Sequence, residues 1–186
     1  MKDLFFVTSN RNKFEEARKA LEEHSINLII SDINIPEKKY PTEKEVAIAK
    51  AYAAIKLLKA PLIVEDTGIY FEAYNNFPGP NAHIVFEGIG YEGILKLLEG
   101  KNRAAFFRTT ITFIKPELNP ISFTGECKGK ISEKVSERVS FAYDALFMPE
   151  NETRTFSEMK KEEKEVFSHR RKAVEEFIKW YKESES

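Results

Sequence analysis

The 186-residue sequence contains no glutamine, one cysteine and no apolar run long enough to cross a membrane without charges. The single Cys127 excludes a disulfide framework, so a reducing compartment, the cytoplasm, is the expected location. The first residues, Met1 to Leu4, lack the apolar stretch of a signal peptide. The missing glutamines, together with 32% charged residues, predict a protein from a hot environment.

The charge balance also excludes a class of partners. Lysines and arginines number 29 and acidic residues 30, which leaves a formal net charge of -1. No basic field exists to hold a nucleic-acid polymer, and no basic, aromatic-lined surface signals an RNA-binding module. An anionic partner must therefore be a small ligand that meets a local cluster of cations. The 42% apolar residues and the length predict one globular domain over residues 1–186, with room for two lobes.

The apolar patterns predict strands and helices that alternate at first and are followed by hairpins, which indicates a mixed α/β fold. Helices are expected near Arg11 with Ser9 or Asn10 as the cap, after a Thr42–Glu45 capping box, and from residues 168–170. The second helix is expected to bury Val46, Ala49, Ala53 and Leu57. Strands are predicted at residues 4–7, 28–30, 61–64, 103–114 and 122–131, a short helix at 94–98, a rigid turn at 78–80, and breaks in the last strand at Gly125 and Gly129.

The polar segment from Ser9 to Lys13 opens the first helix. A helix N-terminus offers unpaired N–H donors and partial positive charge, both suited to phosphate, and Lys13 adds a mobile cation. The same spacing also fits an ordinary capped helix with a solvated lysine.

Acidic residues indicate a second candidate site. Glu65 and Asp66 follow an apolar strand, and adjacent carboxylates there favour a bound cation such as Mg²⁺. The alternative is that one carboxylate caps residues 67–68 or faces water. Glu37, fixed by a preceding proline, could add a metal oxygen or be an ordinary surface charge. Lys50 lies on an apolar helix stripe, so it either snorkels to solvent or reaches a buried anion.

Cations and aromatic rings near the C-terminus indicate base recognition. Lys164, His169 and Arg170 lie around the start of the last helix. Lysine and arginine only donate hydrogen bonds, so they fit a purine 6-oxo group and reject the 6-amino group of adenine. Solvated helix ends have the same composition. Phe141 and Tyr143 could stack on a base or belong to the core.

Six motifs occur in order along nearly the whole chain and together resemble the inosine/xanthosine triphosphate pyrophosphatase family. They are Thr8-Ser9-Asn10 with Lys13, Ile35-Pro36-Glu37, Glu65-Asp66-Thr67-Gly68, Phe77-Pro78-Gly79-Pro80, Phe141-Ala142-Tyr143-Asp144 and Ser168-His169-Arg170. The resemblance implies a two-lobed α/β fold around a long mixed β-sheet with a deep cleft between the lobes. It also implies a homodimer, Mg²⁺, and hydrolysis of ITP, dITP or XTP to the monophosphate and pyrophosphate, which cleanses the nucleotide pool.

Carried onto matching positions, the resemblance assigns roles to individual residues. Thr8, Ser9, Asn10, Arg11, Asn12 and Lys13 would cradle the triphosphate, with Lys50, Thr67 and His83 as further contacts. Glu37 and Asp66 would hold the metal, and Asp66 would also act as general base. By their charge, Lys13 and Lys50 are expected to stabilise the departing pyrophosphate. Phe141, Ala142, Tyr143, Asp144, Lys164, His169 and Arg170 would form the nucleobase pocket. Ala142 replaces a frequent glycine, and His83 replaces a frequent lysine or arginine.

Two other functions remain open. A Maf-like pyrophosphatase would act on modified pyrimidine nucleotides, whereas the cations around the last helix favour a 6-oxopurine. A nucleotide sensor would bind without hydrolysis, although three acidic residues exceed what binding alone requires.

Overall fold

The computed structural model describes residues 3–36, 38–139 and 142–185, and it confirms the α/β class. The elements are β1 (Asp3–Val7), α1 (Arg11–Glu22), β2 (Asn27–Ser31), α2 (Glu43–Leu58), β3 (Leu62–Phe71), β4 (Phe77–Gly79), α3 (Ala82–Leu97), β5 (Ala104–Ile114), β6 (Ile121–Ile131), β7 (Phe147–Pro149), α4 (Lys161–Phe167) and α5 (His169–Glu185). Short 3₁₀ turns follow β3, precede β7 and precede α4. Within the described ranges, no helix has the length and apolarity needed to span a membrane.

The strands form one mixed sheet of seven. Its order is β2-β1-β3-β5-β6-β7, and β4 pairs with β3 away from this path. β1 is parallel to both β2 and β3, with Phe5 opposite Ile29 and Leu62, whereas β3–β4 and β6–β7 are antiparallel. The mixed sheet that the resemblance implied is therefore confirmed.

The chain divides into two compact units. The first comprises Met1–Thr67, Thr109–Gly125 and His169–Ser186, and the second Gly68–Arg108 and Glu126–Ser168. Each unit has its own apolar core, because alternate residues of its strands face its helices. In the first unit, Leu4, Phe6, Leu21, Val174 and Phe177 are fully buried or nearly so; in the second, Ile69, Phe71, Ile94, Phe147 and Phe156 are. The single two-lobed domain and its cleft remain predictions.

β3 extends beyond the predicted end of its strand. The sequence predicts an end at Glu65, whereas the strand continues through Gly68 to Phe71. Gly68 permits this because a Cβ there would lie 2.7 Å from the carbonyl carbon of Gly79 on β4. Ile69 pairs with Gly79 and is fully buried, so the apolar residues after the polar segment extend the sheet.

The predicted apolar face of α2 is wrong at Leu57, which is 62% exposed. The buried face instead contains Val46, Ala47, Ala51 and Ala54. This helix is alanine-rich and carries apolar residues around much of its surface, so periodicity alone does not select the buried side. The Thr42–Glu45 capping box is confirmed.

Three segments that contain glycine differ from the sequence prediction: α3, β6 and the predicted turn at residues 78–80. α3 is longer than the short helix expected at residues 94–98, and only Gly90, at φ +59°, interrupts it. β6 runs unbroken through Gly125 and Gly129. At Gly125 a Cβ would lie 2.2 Å from the carbonyl oxygen of His169, so this glycine permits α5 to approach the strand. The predicted turn at residues 78–80 belongs partly to β4, which contains a cis Phe77–Pro78 bond.

Candidate active site

The N-terminus of α1 lies directly after β1. Asn10 is its N-cap, as predicted, and its side-chain oxygen accepts a 3.1 Å hydrogen bond from the backbone N–H of Lys13. The Thr8 hydroxyl oxygen accepts from the backbone N–H of Asn10, also at 3.1 Å. These two bonds shape the residue 8–13 segment locally. The first turn carries no acidic residue, so its partial positive charge is not offset from within the helix.

Glu65 is a buried carboxylate that several donors share. Arg170 donates to it from Nε at 2.6 Å and from Nη2 at 3.2 Å. Lys13 Nζ lies 3.0 Å from its Oε1, and the Thr67 hydroxyl donates to Oε1 at 2.8 Å. Burial acts to raise the pKa of Glu65, but the charges of Arg170 and Lys13 outweigh it and hold that pKa well below the usual range. Glu65 is therefore an ionised anchor for two cations.

Asp66, the next residue, has the opposite electrostatic situation. Lys50 Nζ donates to its Oδ1 at 3.1 Å. Its Oδ2 is buried and has no hydrogen-bond partner among the described residues. Burial raises the pKa of Asp66 to about 6, against the lowering effect of Lys50 and Lys13. An underbonded carboxylate oxygen of this kind can accept a proton or bind a cation.

Lys50 resolves one alternative that the sequence left open. Its side chain is 17% exposed and its ammonium group contacts the 14%-exposed Asp66. Lys50 therefore reaches a buried anion and does not snorkel into solvent.

Two threonine hydroxyls connect Glu65 with His169, the first residue of α5. The hydroxyl oxygens of Thr67 and Thr109 lie 2.7 Å apart, and Thr109 Oγ1 lies 2.6 Å from His169 Nδ1. Thr109 is completely buried and His169 is 7% exposed. The ring of His169 is therefore linked to the Glu65 carboxylate through two hydroxyl groups.

Arg170 is buried between two carboxylates. Besides Glu65, its Nη1 contacts Glu16 Oε2 at 2.5 Å. Burial acts to lower the pKa of Arg170, and the two carboxylates raise it above the usual value. Arg170 therefore forms ion pairs with Glu16 and Glu65, and it shares Glu65 with Lys13. Its assigned contact with a nucleobase remains a prediction.

The other predicted base-pocket residues lie in the second unit. Lys164 Nζ contacts Asp144 Oδ2 at 2.5 Å and lies 5.1 Å from the centre of the Phe156 ring. The Tyr143 hydroxyl donates to the carbonyl of Ala82 at 3.0 Å, and burial raises the pKa of that hydroxyl. The carbonyl of Ala142 accepts from Tyr91.

Three further predicted site residues are Glu37, Phe141 and His83. Glu37 and Phe141 lie outside the described residues, so their predicted roles stay untested. The side chain of His83 is 82% exposed and lies 3.3 Å from Glu87 on the same helix. Within the described part of the chain, no three histidine, cysteine, aspartate or glutamate side chains form a group that could hold a metal ion.

Sequence reasoning missed two contributors. Glu16 lies one helical turn after Lys13, a spacing that puts both on one face of α1. Thr109 occupies an inward position in the Phe107-Thr109-Ile111 alternation of β5, and a polar residue at such a position signals a buried hydrogen bond. Both signals were present, but neither identifies its partner, which lies far away in the sequence.

The fold and the site define an α/β protein in which a helix N-terminus, two lysines and a carboxylate pair lie around one mixed sheet. Residues 4–180 match the model of the Ham1 family, and the chain belongs to that family. It is 43% identical to the dITP/XTP pyrophosphatase of Methanopyrus kandleri over 96% of both chains, and 41% identical to that of Thermococcus kodakarensis over 97% of this chain and 98% of the relative. A HAM1 protein structure from Coxiella burnetii matches with a TM-score of 0.85 and 26% identity, covering 98% of this chain and all of that one.

Proposed function

We propose that this protein hydrolyses noncanonical purine nucleoside triphosphates, namely ITP, dITP and XTP, to the monophosphate and pyrophosphate. The observation that carries the proposal is the buried Oδ2 of Asp66, which has no hydrogen-bond partner in the described part of the chain, beside Lys50 and the Lys13–Glu65 pair. The relatives named dITP/XTP pyrophosphatase supply the substrate class.

The triphosphate fits the N-terminus of α1. The backbone N–H groups of Arg11 and Asn12 have no partner within the helix and can donate to phosphate oxygens, whereas that of Lys13 is bonded to the Asn10 cap. Lys13 lies in that turn with its side chain 26% exposed, so a phosphate can reach its ammonium group beside Glu65. Arg11 and Asn12 are exposed in the same turn, and Ser9 directly precedes the cap.

A Mg²⁺ ion fits the donor chemistry of Asp66. Mg²⁺ is commonly bound by one or two carboxylates together with phosphate oxygens and water, so the lack of a larger acidic cluster among the described residues is compatible with it. Asp66 Oδ2 is the described oxygen that would hold it, and Glu37 is its predicted partner. When bound, the ion neutralises phosphate oxygens and orients a water molecule.

Asp66 is also the proposed general base. With its pKa raised to about 6, the carboxylate is ionised at neutral pH and more basic than an exposed aspartate. It accepts a proton from the water that attacks the α-phosphorus, either directly or through a second water. Lys50 holds the Asp66 carboxylate, and Lys13 stabilises negative charge on the departing pyrophosphate, an effect of roughly 3 kcal/mol for one well-placed donor.

Base recognition is assigned to individual residues by the family resemblance. Lys164 and Arg170 only donate hydrogen bonds, which fits a 6-oxo group and disfavours the 6-amino group of adenine. Thr67, His83, Phe141, Ala142, Tyr143, Asp144 and His169 keep their predicted substrate contacts as part of this proposal.

A substrate panel tests the proposal. Purified protein is incubated with dITP, ITP, XTP, GTP, ATP, dTTP and UTP, with Mg²⁺ and with a chelator, and the products are separated. Pyrophosphate and monophosphate from dITP, ITP or XTP, lost with the chelator, support the proposal. Preferential cleavage of dTTP or UTP would favour the Maf-like alternative, and intact nucleotide at saturating binding would favour a sensor.

The homodimer, Mg²⁺ dependence and cytoplasmic location remain part of the proposal. The lone cysteine and the family resemblance support them. Sedimentation equilibrium measures the oligomeric state directly, and a monomer at micromolar concentration contradicts the dimer.

A further inference from the structure

The link between Glu65 and His169 has a defined direction. It consists of four groups in the first unit, the Glu65 carboxylate, the Thr67 and Thr109 hydroxyls and the His169 ring, and successive heavy atoms lie 2.8, 2.7 and 2.6 Å apart. Each hydroxyl has one hydrogen to donate, whereas an ionised carboxylate has none. The state of Glu65 therefore determines which way every hydrogen in the link points.

Ion pairing keeps Glu65 ionised. Arg170 donates to both of its oxygens, and Lys13 Nζ lies 3.0 Å from Oε1. Two cations in contact with one carboxyl group favour its charged form. Glu65 then only accepts hydrogen bonds, and the short contact with Thr67 requires Thr67 to donate.

The donors in the other two contacts, Thr67–Thr109 and Thr109–His169, follow from this assignment. Because the Thr67 hydrogen is used on Glu65, the hydroxyl of Thr109 must donate to Thr67 Oγ1. Thr109 Oγ1 then has only lone pairs left for the 2.6 Å contact with His169. The Nδ1 atom of His169 must therefore carry a hydrogen, because two facing lone pairs at this distance repel each other.

We propose that Thr109 is a positioning residue that, together with Thr67 and Glu65, holds His169 in the Nδ1–H tautomer. In the neutral ring, Nε2 is then the atom with the lone pair, and whichever group faces it must donate a hydrogen bond. Without the Thr109 hydroxyl, this contact no longer requires Nδ1 to carry the hydrogen.

The backbone at His169 is fixed by packing as well. His169 is the first residue of α5, and its carbonyl oxygen would lie 2.2 Å from a Cβ at position 125, so the helix start is in close contact with β6 at Gly125. The neighbouring buried threonines of β5 have other partners: Thr110 contacts Glu43 and Thr124, and Thr112 contacts Ser122. Among these three threonines, Thr109 is the one whose hydroxyl contacts the imidazole of His169.

The tautomer has a consequence for substrate choice, and this consequence rests on the proposed function. A 6-oxopurine carries a hydrogen on N1, whereas adenine has a lone pair there. If N1 of the base faces Nε2 of His169, a 6-oxopurine donates its N1 hydrogen to the Nε2 lone pair. Adenine has a lone pair at N1 instead, and the two lone pairs repel each other. The link from Glu65 would thus add discrimination against ATP that donor-only lysine and arginine side chains do not supply.

The tautomer is measured by ¹⁵N NMR without any nucleotide. Long-range ¹H–¹⁵N correlation at about pH 8, where an ordinary histidine is neutral, distinguishes Nδ1–H from Nε2–H rings. The sequence has three histidines, and exposed His24 and His83 are assigned by replacement with glutamine. We expect an Nδ1–H ring for His169, retention of that signal in Thr109→Ser, and its loss in Thr109→Val. An Nε2–H ring in the unmodified protein, or an unchanged Thr109→Val spectrum, overturns the proposal.

Kinetics test the consequence separately. Thr109→Val should lower the ratio of kcat/KM for dITP over ATP by about tenfold, the factor expected for one buried hydrogen bond, and Thr109→Ser should restore most of it. Thr112→Val, an equally buried hydroxyl in the same strand, is the matched control and should leave the ratio unchanged. An unchanged ratio in Thr109→Val overturns the specificity consequence. Absence of hydrolysis in the unmodified protein would refute the proposed function, while the NMR result would still decide the tautomer.

Discussion

Two adjacent carboxylates of β3 differ in almost every physical respect. Glu65 accepts from several donors, and cations keep its pKa low, whereas one oxygen of Asp66 has no partner within residues 3–36, 38–139 and 142–185 and burial raises the pKa of Asp66. Environments that separate the pKa values of neighbouring groups are typical of acid–base sites. At the scale of single residues, this contrast indicates that Glu65 anchors the neighbouring cations, whereas Asp66 is the candidate base and metal ligand.

Replacing Asp66 with asparagine should abolish turnover and leave the fold intact. The amide has nearly the same shape, but it neither accepts a proton nor supplies a charged metal ligand. We expect the hydrolysis of dITP to fall by at least about a thousandfold, as for loss of an essential catalytic group. Steady-state kinetics measure the rate, circular dichroism checks the fold, and Asp3→Asn, at the exposed first residue of β1, is the control. Near-normal activity in Asp66→Asn contradicts the assignment.

The same variant should change how stability depends on pH. Since the folded-state pKa of Asp66 is raised from 3.8 to about 6, the folded state binds the proton more tightly than the unfolded state. The contribution of Asp66 protonation to the free energy of unfolding is fully present below about pH 4 and is lost as pH rises through about 6. The difference corresponds to at most about 3 kcal/mol. Urea-induced unfolding without metal should therefore show the unmodified protein losing stability relative to Asp66→Asn between these pH values; parallel curves would contradict the shift.

Replacing Glu65 with glutamine should strongly destabilise the protein. Arg170 and Glu65 are both buried, and removing the Glu65 charge takes away one of the two carboxylates that compensate Arg170 and leaves it paired with Glu16. We expect a loss of about 3–5 kcal/mol in the free energy of unfolding. The matched control is Glu15→Gln, which breaks an exposed pair with Arg18 and should cost at most about 1 kcal/mol. Urea-induced unfolding at elevated temperature measures both, and equal losses would show that the buried pair has no special role.

At the scale of elements, strand and helix ends bring the charges together. α1 places Lys13 in its first turn, where a cation is unfavourable for the helix by itself. Glu65 from β3 compensates this charge, and Arg170 from the first turn of α5 joins the same carboxylate. Both helix starts are therefore held by contacts with Glu65 of β3, and the start of α1 is held by its Asn10 cap as well.

The contact between α5 and β6 at Gly125 gives a prediction at this scale. A methyl group in Gly125→Ala would overlap the His169 carbonyl and the Ala173 backbone nitrogen, at 2.2 and 2.5 Å. We expect a loss of about 1–3 kcal/mol in stability from overpacking. Gly88→Ala is the matched control, since among the described residues no atom apart from the chain neighbours and the nearby backbone of α3 lies within 4 Å of the added Cβ, and it should stabilise the protein by about 0.5–1 kcal/mol. Thermal unfolding measures both, and a neutral Gly125→Ala would contradict the close approach.

At the scale of the whole molecule, the composition and the ion pairs predict resistance to heat. The sequence contains no glutamine and has 59 charged side chains besides histidine, 29 basic plus 30 acidic. Ion-pair networks stabilise more at high temperature because the cost of dehydrating charges falls. We expect a calorimetric midpoint above about 65 °C, the upper part of the mesophile range, and a decrease in about 1 M salt. A midpoint inside the mesophile range would remove the thermophile prediction.

Much of the architecture could be predicted from the sequence because its signals are local. The capping box at Thr42, the cap at Asn10 and the start of α5 depend on neighbouring residues, and all three are confirmed. The end of β3 could not be predicted, since its polar segment resembles a turn until Lys13, Lys50 and Arg170 supply partners. The buried face of α2 could not be selected because alanine occurs around much of the helix.

The sequence by itself determined the α/β class, the helix starts and the residue types that suit a phosphate, a metal ion and a base, because these depend on composition and short-range spacing. Only the tertiary structure decided the partners. In the folded chain, Arg170 donates hydrogen bonds to Glu65, which lies 105 positions away in the sequence. Lys50 donates to Asp66, and the Thr109 hydroxyl contacts the His169 ring. The physical reason is that the charge state and hydrogen-bond direction of a buried group depend on what surrounds it in space, and that information is not contained in the residue alone.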